Sequence, residues 1–324
     1  MREVTKMSFK IIGTGSFLPP KTVTNDELSA MVETNDEWIK KRVGISERRI
    51  SEDMTVGDMA IEAAKRALEN SGTRPDELDL IIAATLSSEY ACPTVGGFVQ
   101  QALGASCPAF DINSACSGYI FALDTAAGFF VRGGVKKALV VGAERISRLL
   151  DWSDRSTCVI FGDGAGAAVL EAAEGHYLAS KLVTKGGSDV ISIPSDVGNS
   201  PFYTRSHPEA CINMQGQETF KFAVDSLCRD SEDVISAAGI TKDDVSFFVP
   251  HQANARIINF AAKRLGVPAE KFIVNIEKYG NTSSASVPIA LDELNRSGRL
   301  HKGDIIVLSA FGGGLSSGAC VIKL

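Results

Sequence analysis

"NSACSGYIFALD", residues 113–124, and "NTSSASVPIALD", residues 281–292, each open on Asn, run through small residues and close on Ala-Leu-Asp, 168 positions apart. The neighbouring sequence repeats in the same order. "GTRPDELDLII" from Gly72 is matched by "GITKDDVSFFV" from Gly239, 167 positions on, and "KALVVGA" is matched by "DIIVLSA" in nearly the same register. Self-similarity over such a span marks two copies of one structural plan. The expectation is two similar halves, 1–175 and 176–324, related by a pseudo-twofold axis. Each copy alternates short apolar, β-rich runs with longer helical stretches. The runs are "KIIGTGSF", "DLIIAAT", "PAFDI", "KALVVGA", "SFFVP", "KFIVNI" and "DIIVLSA". Continuous apolar strands between amphipathic helices are buried on both faces, which predicts an α/β layered fold. "GDGAGAA" from Gly162 reads as a tight turn with close backbone packing.

The repeat also draws attention to Cys116. Most free cysteines act as small buried hydrophobes. Cys116, however, stands where an apolar strand gives way to an Ala-rich helix. Unpaired N–H groups in a first helical turn stabilise a thiolate and bind an oxyanion, so Cys116 is a candidate nucleophile. The repeat pairs it with Ser284. It pairs His251, in "VPHQANARI", with Ala84, and so places the histidine just beyond a strand's carboxyl end, where open α/β sheets put active residues. Asn281 occupies another strand exit. "FGGG", residues 311–314, either aims a backbone N–H into a site, as an oxyanion hole requires, or is a flexible turn. "GTGSFL" from Gly13 fails the dinucleotide fingerprint, because Leu18 stands where the third glycine belongs.

Bulk properties narrow the class. A net charge of -6 argues against a nucleic-acid-coating surface. No run has the length and hydropathy of a signal peptide or a membrane span. Seven scattered cysteines with no C-x-x-C pair suit a reducing compartment, and the four histidines lack metal-ligand spacing. Either Met1 or Met7 serves as the start.

With Cys116, His251, Asn281 and "FGGG" in hand, the chain resembles β-ketoacyl-acyl carrier protein synthase III, the initiating condensing enzyme of type II fatty acid synthesis in the thiolase superfamily. "TNDEWIKKRVGI", "CSGY", "DWSDR", "FGDGAGAAVL", "VPHQANARII", "GNTSSASVPIALDE" and "FGGG" carry the resemblance from about residue 8 to the C-terminus. It implies a thiolase-like α-β-α-β-α architecture in a cytoplasmic homodimer that uses an acyl-CoA primer and malonyl-acyl carrier protein. It implies no resident cofactor or metal and no nucleic-acid or membrane partner. Cys116 would take the acyl group, the amides of Cys116 and Gly313 would hold the oxyanion, and His251 and Asn281 would stabilise the enolate. Trp38 and Arg155 would stack on adenine, Arg42 would meet phosphate, and Gly216, Phe220 and Asn254 would line the pantetheine tunnel. Lys221, Arg256, Lys263 and Arg264 would dock the carrier protein. Cys92 stands where acetyl-preferring members hold a phenylalanine closing the acyl pocket across the dimer, so a longer or branched primer is expected to fit. A related condensing enzyme or acyltransferase of secondary metabolism is the alternative.

Overall fold

The computed structural model describes residues 7–195, 202 and 210–324, so Met1, one of the two candidate starts, lies outside it. Two sheets form its framework. The first is built from β1 (Met7–Phe17), β2 (Leu80–Ala84), β3 (Ala109–Ile112), β4 (Lys137–Arg145) and β5 (Asp163–Glu174) in the order β1-β5-β4-β2-β3. The second holds β6 (Tyr177–Thr184), β7 (Phe247–Pro250), β8 (Ile305–Gly312) and β9 (Ser316–Lys323) in the order β7-β8-β9-β6. In both sheets two neighbouring parallel strands are followed by two antiparallel ones: β2 and β4 lie beside β5 and β1, as β7 and β8 lie beside β9 and β6.

The counterpart of β3 is the one predicted strand that is not formed. "KFIVNI" makes a single parallel bridge, Phe272 to Phe248. The Gln252 side chain takes the ladder's place, donating to the carbonyls of Pro250 at 2.7 Å and Ile273 at 3.0 Å while its oxygen accepts from Asn275 N at 3.0 Å. An inserted side-chain amide satisfies the backbone but ends the pairing.

The helices used below are α1 (Asp36–Val43), α2 (Val56–Ser71), α3 (Val95–Leu103), α4 (Gly118–Arg132), α5 (Gly216–Ala237), α6 (Ala255–Leu265) and α7 (Ser286–Arg296). α2 and α3 cover the outer face of the first sheet, and α5 and α6 that of the second. α4 and α7 lie between the sheets, burying Tyr119, Ile120 and Leu123 together with Val287, Leu291 and Leu294. Five layers result, with the largest apolar core in the middle. The repeated aspartates explain themselves here. Asp292 on α7 accepts from Thr14 and Ser16 of β1 at 2.7 and 2.6 Å, and Asp124 on α4 accepts from Tyr177 and Ser180 of β6. Each central helix is thus pinned to the first strand of the opposite sheet.

"GDGAGAA" is strand rather than turn, because β5 starts at Asp163. Its glycines serve packing: a Cβ on Gly166 would lie 2.7 Å from the backbone of α7 at Ile289.

Candidate active site

Cys116 lies in a single 3₁₀ turn, Ala115–Ser117, that leads into α4. Its pseudo-equivalent is the turn Ser283–Ala285 before α7. The residues opening them, Ala115 and Ser283, have φ of 46° and 50°. That left-handed conformation is strained for a side-chain-bearing residue, and such strain is held in place only by surrounding structure. The strained turn lifts Cys116 against the end of β8. A Cβ on Gly312 would fall 2.7 Å from Cys116 N, so glycine is required for the close approach.

One cavity of about 1610 Å³ takes in Cys116, His251, Asn281 and Gly313. His251 follows β7 and is 1% exposed. Its Nδ1 lies 2.6 Å from Ser286 Oγ, which also accepts from Gln252 N at 3.3 Å. With the serine hydroxyl donating to Nδ1, the neutral ring carries its N–H on Nε2. Burial lowers His251 to about 3, so the ring is neutral near pH 7. Asn281 is fixed by its backbone, which bonds Ile160 O at 2.9 Å and Gly162 N at 3.0 Å. Its Oδ1 accepts from Ser283 N at 2.8 Å, leaving the amide hydrogens for a ligand. The site therefore presents two neutral donors opposite a thiol. Burial pushes that thiol up to about 12, and the neighbouring Ser283 hydroxyl offsets only part of the rise.

The same cavity is lined by Trp38, Arg42, Arg155, Gly216, Phe220 and Asn254. Arg155 and Arg42 both sit over the Trp38 ring, 5.5 and 5.6 Å from its centroid. Those are direct cation–π distances, which leave no gap for a purine between Trp38 and Arg155. Asn254 also caps α6, accepting from Arg256 N at 2.9 Å and donating to Arg42 O at 3.2 Å. Arg256 lines the cavity and lies 5.5 Å over Phe220, while Lys221 and Lys263 are exposed outside the lining. Arg264, also exposed, forms a surface ion pair with Asp225 of α5. Cys92 is exposed and does not line its own chain's cavity, although Tyr90 and Ala91 do. Any effect of Cys92 on an acyl pocket would have to be exerted in a neighbouring copy.

Four residues that sequence reading missed complete the centre: Ser286 behind His251, Ser283 between Asn281 and Cys116, Gly312 beneath Cys116, and Glu144 behind Ser283. The repeat carried a signal for one of them, since Ser283 aligns with Ala115. Among the described residues no group of three or more His, Cys, Asp or Glu is arranged to hold a metal, and no helix is long and apolar enough to cross a membrane.

Comparison with known proteins agrees with this architecture. Residues 110–186 match the family described as 3-oxoacyl-[acyl-carrier-protein] synthase III, and residues 235–324 match its C-terminal family. The chain is 47% identical over 320 residues to the β-ketoacyl-[acyl-carrier-protein] synthase III of Clostridium acetobutylicum, covering 98% of both chains. The crystal structure of the Aquifex aeolicus 3-oxoacyl-[acyl-carrier-protein] synthase III superposes with a TM-score of 0.92 at 45% identity, covering 98% of this chain and 100% of the other. The priming β-ketosynthase of the R1128 polyketide pathway also gives 0.92, at 35% identity over 100% of this chain and 98% of the other. The two sheets, the central helices and the strained cysteine turn are accordingly those of a thiolase-like fold, and the chain belongs to the 3-oxoacyl-[acyl-carrier-protein] synthase III family.

Proposed function

We propose that this chain starts type II fatty acid synthesis by condensing an acyl-CoA primer with malonyl-acyl carrier protein through an acyl-Cys116 intermediate. The observation that carries this is the pairing of a thiol with two neutral donors, His251 Nε2 and Asn281 Nδ2, on one cavity. In the first half-reaction Cys116 Sγ attacks the thioester carbon, the amides of Cys116 and Gly313 hold the oxyanion, and coenzyme A leaves with the thiol's proton. Charge on Cys116 builds at the start of α4, where the helix N-terminus acts on it as it forms. In the second, malonyl-acyl carrier protein loses carbon dioxide and its carbonyl oxygen becomes an enolate. His251 and Asn281 donate to that oxygen, the enolate carbon attacks the acyl group, and Cys116 is released with a 3-oxoacyl-acyl carrier protein. A ring held neutral by burial suits a donor and would be a weak base for hydrolysis.

The finer assignments follow the same reading. The halves 1–175 and 176–324 carry the nucleophile and the donors respectively. Adenine stacks on Trp38 once Arg155 has moved off the ring, Arg42 meets phosphate, and Gly216, Phe220 and Asn254 line the pantetheine path. Arg256, Lys221 and Lys263 meet the acidic carrier protein at the cavity mouth. Cys92 would enlarge the acyl pocket of the partner in a cytoplasmic homodimer and admit longer primers. The likeness to the R1128 priming enzyme favours a second reading, the same condensation in secondary metabolism.

Intact-protein mass spectrometry with acetyl-, isobutyryl- and octanoyl-CoA tests the mechanism. The wild type is expected to gain one acyl group, lose it when malonyl-acyl carrier protein is added, and yield the 3-oxoacyl product. Cys116→Ala is expected to gain none. An adduct that decays in water without a condensation product would defeat the proposal, and product made only on a polyketide carrier protein would select the second reading.

A further inference from the structure

Glu144 is the next-to-last residue of β4, and the ladders that pair Leu80 with Ala138 and Phe247 with Ile306 make it equivalent to Gly312 of β8, 168 residues on, the offset that relates Cys116 to Ser284. Gly312 leaves space for Cys116, whereas Glu144 fills the matching space beside Ser284. The carboxyl is fully buried, and hydroxyls and an amide surround it in place of a cation. Its Oε2 accepts from Thr85 Oγ1 at 3.2 Å, from Leu86 N at 3.1 Å and from Ser87 Oγ. Oε1 meets Ser284 Oγ at 2.7 Å and Ser283 Oγ at 3.2 Å.

These five partners come from two separate parts of the site. Thr85 and Leu86 belong to the cavity wall, as do Ser88 to Ala91 beyond them. Ser283 and Ser284 form the second strained turn. Ser283 in turn gives its amide to Asn281 Oδ1 at 2.8 Å, and its turn packs against the turn that carries Cys116. Glu144 thereby bonds both the wall and the turn. We propose that Glu144 is a positioning residue for the condensing centre, holding the wall at 85–87 and the turn at 283–284 as one unit that sets Ser283 against both Cys116 and Asn281.

The inference rests on the roles given above to Cys116 and Asn281. It also says which substitution keeps the function. Burial raises the Glu144 carboxyl above its ordinary range and favours the neutral acid. Ser284 Oγ lies 2.7 Å from Glu144 Oε1 and 2.9 Å from Ala84 O, so a donor standing at the Oε1 position would leave the serine's one hydrogen for Ala84. Glutamine reproduces that pattern with its carbonyl toward Thr85, Leu86 and Ser87 and its amide toward Ser284. Alanine leaves a cavity and at least one buried donor without a partner.

The test is steady-state condensation and single-turnover acylation for the wild type, Glu144→Ala, Glu144→Gln and Ser283→Ala, with thermal melts alongside. A misplacement of reacting groups by an ångström costs up to about 100-fold. Glu144→Ala is expected to lower kcat at least about tenfold, with KM for acyl-CoA within about twofold, and Glu144→Gln to recover most of the loss. Ser283→Ala is expected to lower kcat at an unchanged melting temperature, and it decides the matter with Glu144→Gln if Glu144→Ala does not fold. A folded Glu144→Ala with wild-type kcat, a glutamine variant as damaged as alanine, or Ser283→Ala with full activity would overturn the proposal. A wild type that forms no acyl adduct removes the reading beneath it, and the proposal with it.

Discussion

At the scale of single residues, the contest at Cys116 is between burial, which favours the thiol, and the Ser283 hydroxyl and helix N-terminus, which favour the thiolate. Burial raises the thiol, and a sign for pH follows. A thiol raised to about 12 holds only a small thiolate fraction near neutrality, and that fraction grows as pH rises. Alkylation of Cys116 by iodoacetamide, followed by peptide mass spectrometry, is expected to climb about tenfold per pH unit between about pH 7 and 9. A rate already flat across that range would mean the thiolate is formed at rest and the burial argument fails. His251 shows the opposite case, in which burial keeps a base neutral and so preserves it as a donor.

At the scale of elements, the turns before α4 and α7 decide how near chemistry comes to the sheet. Gly312 and Gly313 adjoin in sequence but face different neighbours. A methyl on Gly312 would meet the Cys116 backbone at 2.7 Å, whereas one on Gly313 would meet Ile191 at 3.4 Å and Ala115 at 3.7 Å, ordinary contact distances. Gly312→Ala is therefore expected to cut single-turnover acylation about 100-fold, with Gly313→Ala within a few-fold of wild type. Equal losses would show that the approach at Gly312 is not what limits the reaction. The sequence made much of this arrangement legible. Strand exits placed Cys116, His251 and Asn281, because apolar runs ending at polar residues mark the carboxyl edge of a sheet. It could not show Gln252 replacing a strand ladder, since a glutamine reads the same exposed or buried. It also missed Ser286 and Glu144, whose partners lie 35 and 140 residues away for His251 and Ser284. Periodicity reports burial, whereas such contacts arise only when the two sheets close.

At the scale of the whole molecule, stability rests on the central layer and on how its helices are tied to the strands. Asp292 is almost wholly buried and serves Thr14, Ser16 and Arg296, whereas Asp124 is only half-buried. Removing a buried acceptor and leaving its hydroxyl donors without a partner costs about 1–3 kcal/mol. Asp292→Ala is expected to fall near that range in denaturant unfolding, Asp124→Ala well below it, with acylation per folded molecule retained in both. Equal costs would mean that exposure is not what separates the two ties. The duplicated plan carries one more consequence, at positions 144 and 312. Two equivalent chambers were available to this chain, and only one is vacant. The other was closed by a carboxyl that now serves as masonry, so Ser284→Cys would produce a walled-in thiol and not a second workshop. Chemistry in this fold was divided by architecture, one copy hollowed for substrate and its twin filled to brace it.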